Sequence, residues 1–165
     1  MKRLSSTRRL TLVTMLLAMS IMLHMIEPSL PIPIPGVKLG LANVLGLVAL
    51  FLFGVKEMII LNFMRVLIAS LLRGILFGTG FWLSLGGVIF STAISILVYK
   101  QKKLSLIGVS IASAAFHGLG QIVALMFINQ SIYMVYWLPV LWFSSLPTGF
   151  LTGLLSIEIL KRLRI

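Results

Sequence analysis

Residues 10–26, LTLVTMLLAMSIMLHMI, form an unbroken apolar run preceded by Lys2, Arg3, Arg8 and Arg9 and stopped by Glu27-Pro28. A helix needs roughly 20 mostly apolar residues to cross the ~30 Å hydrocarbon layer of a bilayer, and this run is of that order. It is longer than the apolar core of an ordinary signal peptide, and no small-x-small cleavage site follows, so it reads as a first transmembrane helix. Similar runs recur along the chain. With 59% hydrophobic residues in a length of 165, the sequence reads as one transmembrane domain over residues 1–165, an all-α bundle of six transmembrane helices.

Turn residues divide the remainder. Pro28, Pro31, Pro33 and Pro35 deny the backbone helical hydrogen bonds, which makes residues 28–37 a proline-rich outer loop. The helices are expected at about 10–26, 39–53, 57–77, 81–99, 104–128 and 133–160, the last of them bent at Pro139 or Pro147. Gly54-Val55-Lys56, Gly78-Thr79-Gly80, the Lys100 to Lys103 turn and Asn129-Gln130-Ser131 separate them. The positive-inside rule places both termini in the cytoplasm of a multi-pass plasma-membrane protein. Four basic residues of the N-terminus, Lys56, Lys100, Lys102, Lys103, Lys161, Arg162 and Arg164 then share the inner side. The net charge of +11 is accordingly orientation signal and attraction to anionic lipid, and nucleic acid is not implied as a partner.

Lys38, Arg65 and Arg73 are left over. Arg65 falls near the bilayer midplane, where an unpaired charge facing lipid costs at least ~2.5 kcal/mol, so it is expected to face the bundle interior. Depth along the helices brings Asn43, Arg65, Arg73, His117 and Gln121 toward one another in the outer half, with Lys38 at the mouth. Of the three glutamates, Glu57 and Glu158 fall at inner helix ends, and Glu27 is available to neutralise Arg73 or Lys38. The expected result is an outward-facing pocket whose missing anion is a small-molecule ligand, carboxylate or phosphate, held by guanidinium groups. The competing reading has Arg73 reaching the outer interface, Arg65 capping freed carbonyls, and His117 bonding a neighbouring helix.

Catalysis has little to work with. The chain has no aspartate and no cysteine, no Gly-x-x-x-x-Gly-Lys-[Ser/Thr] and two histidines, His24 and His117. That inventory excludes a P-loop ATPase, a carboxylate-held Mg²⁺-diphosphate site and a thiolate or multi-histidine metal centre. No catalytic residue, cofactor or metal is expected. The series Gly149-xxx-Gly153 and Ser110, Ala114, Gly118 read as close helix packing, as does Gly74-xxx-Gly78.

Pro35-Gly36-Val37-Lys38-Leu39-Gly40-Leu41-Ala42-Asn43, Gly54-Val55-Lys56-Glu57, Arg65-Val66-Leu67, Phe81-Trp82-Leu83-Ser84-Leu85-Gly86-Gly87, His117-Gly118-Leu119-Gly120-Gln121 and Leu138-Pro139 resemble, in order, the heptaprenyl diphosphate synthase component I family, also called the Gx transporter family. That family is similar to the substrate-binding S components of energy-coupling factor transporters. The resemblance implies capture of a small molecule on the outer side, the first inter-helix loop as a lid, and docking on a transmembrane coupling subunit driven by ATPases. The synthase name implies instead a non-catalytic accessory subunit for a soluble prenyltransferase.

Overall fold

The computed structural model describes residues 6–27 and 40–163. Six α-helices follow one another: α1 (Ser6–Ile26), α2 (Leu41–Leu52), α3 (Val55–Leu72), α4 (Thr79–Gln101), α5 (Leu106–Asn129) and α6 (Leu138–Leu163). A short 3-10 helix, Ile132–Trp137, leads into α6. No strand occurs among the described residues.

Four stretches are long and apolar enough to cross a membrane: Ser6–Ile26, Thr79–Gln101, Leu106–Asn129 and Ile132–Leu163. The protein is therefore a membrane protein. The other two helices differ from the six-crossing expectation. At 1.5 Å per residue α2 is about 18 Å long, well short of the hydrocarbon layer. α3 carries Lys56, Glu57 and Arg65 within its length.

Helix ends explain the largest boundary error. α3 stops at Leu72, five residues before the expected end, because Gly74 takes a left-handed conformation (φ 67°) and turns the chain. The Gly74 amide donates to the Leu71 carbonyl and Ile75 to that of Ser70, both at 3.0 Å. Gly78 precedes the first residue of α4, and a Cβ on Gly74 would meet nothing within 4 Å, so this glycine pair turns the chain and packs no helices. Pro139 sits at the second position of α6, where its missing N–H is not needed, and α6 runs through Pro147.

α2 lies at the centre of the core. Ala42 and every residue from Val44 to Leu50 are buried, between α1, α3 and α6. α1 is attached through Leu16 and through Ser20, whose hydroxyl donates to the Ala42 carbonyl at 3.2 Å. At the opposite end of α1, Arg9 pairs with Glu57, a contact missed when Glu57 was read only as a helix-end residue. Glu158 pairs with Arg162 at 3.0 Å, as the i,i+4 spacing predicts.

Small residues bring the later helices together. A Cβ on Gly149 would lie 2.7 Å from the Ile111 Cα and one on Gly153 3.0 Å from the Ile107 Cα, so the expected Gly-xxx-Gly seam joins α6 to α5. On α5's other side, Gly120 and Gly86 approach backbone to backbone; a Cβ on Gly86 would lie 2.6 Å from the Gly120 carbonyl oxygen.

Candidate functional site

The end of α1, the start of α2, the middle of α3, and α5 and α6 enclose a cavity of about 50 Å³. Arg65 reaches it from α3. It is 1% exposed, and its Nη2 donates to Asn43 Oδ1 at 2.9 Å. The other two nitrogens, Nε and Nη1, are buried with no hydrogen-bond partner among the described residues. Leaving a buried donor unpaired costs about 1–3 kcal/mol, and more when the group is charged, so a folded chain keeps such a guanidinium only at some expense to its stability.

One carboxylate shares the cavity. Glu27, 4% exposed, accepts hydrogen bonds at Oε1 from the amides of Gly40 and Leu41, the latter at 3.3 Å, and so ties the end of α1 to the start of α2. It attracts Arg65 electrostatically, although no ion pair within 4 Å joins the two. Of the two partners expected for Glu27, Lys38 lies outside the described residues and Arg73 makes no ion pair with it; the described geometry joins Glu27 to the Gly40 and Leu41 amides and the field of Arg65.

Neutral groups complete the wall. α5 presents Ser110, Ser113, His117 and Gln121, and α6 presents Ser144, Ser145, Thr148 and Thr152. Ser110 and Thr152 bond each other at 2.8 Å, closing the cavity on the side of the Gly149-Gly153 seam. His117 is half-buried; its Nδ1 lies 3.4 Å from Ser91 Oγ on α4, and its ring packs where a side chain on Gly87 would stand. His24 lines the cavity from α1.

Asn43, Arg65, His117 and Gln121 are thus brought together. Lys38 lies outside the described residues, as does the proline-rich loop. Arg73 is a correction: it is exposed, caps the C-terminus of α3 and does not line the cavity, since eight residues beyond Arg65 it stands about 80° round the helix and ~12 Å along it. Sequence reasoning missed Glu27, His24 and the hydroxyls. A signal for the hydroxyls existed: Ser113 and Ser110 continue the His117-Gln121 stripe by one and two turns, and Ser145, Thr148, Thr152 and Ser156 repeat on α6 at the same helical spacing.

Chemically, the arrangement is suited to holding an anionic group by a guanidinium and orienting its remainder with hydroxyls and an amide. The described residues bring no three His, Cys, Asp or Glu side chains together as metal ligands. A family model described as heptaprenyl diphosphate synthase component I matches residues 16–159. No curated protein and no solved structure gave a match.

Proposed function

The chain belongs to the heptaprenyl diphosphate synthase component I family and is not itself an enzyme, and from that premise we propose that it captures a small molecule through an anionic group, carboxylate or phosphate, in the Arg65 cavity. The observation that carries this reading is the buried guanidinium with two unpartnered nitrogens facing a wall of hydroxyls and amides. Asn43, His117 and Gln121 assist. Lys38 and Arg73, expected beside them, are left out of the proposed machinery. The orientation that suits this role has both termini in the cytoplasm and the Glu27 end of the bundle outside, in a plasma membrane. An S-component role, the one that the sequence resemblance implies, would add transfer to a transmembrane coupling subunit with ATPases. Vitamins, flavins and isoprenoid or quinone precursors carry suitable groups. Native mass spectrometry of the purified chain should find a co-purifying small molecule. Arg65→Ala should lose it while the helices stay folded; an undiminished adduct in that variant would remove Arg65 from the site.

A second reading follows from the family name, which implies association with a prenyltransferase subunit. Lys56, Lys100, Lys102, Lys103, Lys161 and Arg162 are exposed, and contacts such as Phe51 with Tyr99, and Leu163 with the cluster around Leu16 and Val48, gather their helix ends at one end of the bundle. That basic end suits an acidic face of a soluble partner as well as anionic lipid. Reversing the charges of Lys100, Lys102 and Lys103 should detach a bound synthase without touching small-molecule capture. Full synthase activity and membrane recruitment in the absence of this chain would end the accessory reading.

A further inference from the structure

We infer that the cavity selects a zwitterion: a small molecule whose carboxylate or phosphate sits on Arg65 and whose ammonium, or a comparably polarised N–H group, sits on Glu27. The inference rests on the capture reading and narrows its ligand class.

The charge balance of the cavity carries it. The described lining holds one arginine, Arg65, and one carboxylate, Glu27, with His24 and His117 beside them. Both charged groups are at least nine-tenths buried. Each keeps spare valence: among the described residues Arg65 has Nε and Nη1 unpaired, and the Gly40 and Leu41 amides both bond Glu27 at Oε1, two of the about four acceptor sites a carboxylate offers.

The two are held apart. A carboxylate present only as the counter-ion of Arg65 gains most by closing on it as a bidentate pair. Here Glu27 is kept at a distance by the Gly40 and Leu41 amides, while Asn43 takes one guanidinium nitrogen. Opposite charges at two places on one wall, each with an open bonding position, match a molecule that carries the reversed pair.

Energetics point the same way. A pure anion added to a balanced site leaves a net negative charge in a low-dielectric interior, where uncompensated charge is costly. A zwitterion adds no net charge and satisfies both open positions. Ser144, Ser145 and Thr148 donate their hydroxyl hydrogens to the Leu141, Trp142 and Ser144 carbonyls, so toward a ligand they present acceptor oxygens, which suit an N–H group.

The test is calorimetric titration of the full chain in detergent with glycine and β-alanine as zwitterionic probes, acetate and inorganic phosphate as anions, and ethylamine as a cation. Glycine or β-alanine should bind at least about tenfold more tightly than acetate, phosphate or ethylamine. In Glu27→Gln the amide oxygen still accepts from Gly40 and Leu41, so the fold should persist, which thermal unfolding followed by tryptophan fluorescence verifies. That variant should lose the zwitterion preference and bind acetate as well as the wild type or better. Acetate or phosphate binding as tightly as the zwitterions in the wild type, or a preference that survives Glu27→Gln, overturns the inference and leaves capture of an anion standing. If no probe binds and native mass spectrometry finds no Arg65-dependent adduct, both fall. Should Glu27→Gln fail to fold, the wild-type ranking of probes decides alone.

Discussion

The two faces of α5 solve opposite problems with small residues. Toward α4, Gly120 meets Gly86 backbone to backbone and no space remains between the helices. Toward α3 and α6, Ser110, Ser113 and Gln121 border a cavity in which two nitrogens of a buried arginine lack a partner among the described residues. A glycine removes volume and lets backbones close; a serine removes nearly as much but leaves a group that must be hydrogen-bonded. The closed face holds the bundle together, and the open face keeps polar atoms, among them two guanidinium nitrogens without a partner among the described residues.

Substitutions at the closed face should cost most. Gly120→Ala places a Cβ into the Gly86 carbonyl oxygen, and because both obstacles are backbone the helices themselves must separate. A loss of about 3 kcal/mol is expected, measured by thermal or denaturant unfolding in detergent. A neutral result would mean that the seam is not closed and that the contrast between the faces is false. Gly87→Ala probes the border between them. Its Cβ would lie 2.6 Å from the His117 ring, but an imidazole can rotate away, so a smaller cost of about 1 kcal/mol is expected. Capture should weaken with it, since the displaced ring must enter the cavity. The smallest effect belongs to the open face: Ser110→Ala removes the 2.8 Å bond to Thr152, which keeps a second bond to the Gly149 carbonyl at 3.1 Å, and should cost about 0.6 kcal/mol. A cost equal to that of Gly120→Ala would show that the hydroxyls hold the bundle rather than line a site.

How far the sequence foretold this is uneven for physical reasons. The end of α1 at Ile26 was legible to the residue because Glu27-Pro28 forbids continuation. The end of α3 was not: Ile75, Leu76 and Phe77 extend the apolar pattern past the Gly74 turn, and hydropathy cannot register a single left-handed residue. Arg65 was legible as an interior charge because lipid would reject it, and His117 and Gln121 followed from helical spacing. Arg73 fails because it was placed by depth alone: eight residues beyond Arg65 it stands about 80° round α3 and ~12 Å along it. The hydrogen bonds of Glu27 to the Gly40 and Leu41 amides were not foreseen, since bonds to backbone at the start of another helix leave no trace in the order of residues. Whether α2 and α3 count as crossings was hidden for a related cause: a helix buried among others need not meet the length or charge limits of one facing lipid.

α2 also constrains the order of assembly. Too short to span the hydrocarbon layer alone, it is covered by α1, α3 and α6. α1 and α3 flank it in the chain, but α6 emerges from the ribosome long after it. The newly made α1–α3 unit therefore waits with one side of α2 uncovered and its share of the cavity wall open, Asn43 included, until α6 arrives to supply the facing hydroxyls. Arg65 passes through the same interval. The charge buried inside the finished bundle is, during synthesis, a charge without its enclosure, and the bundle's yield should be most sensitive there to anything that delays α6.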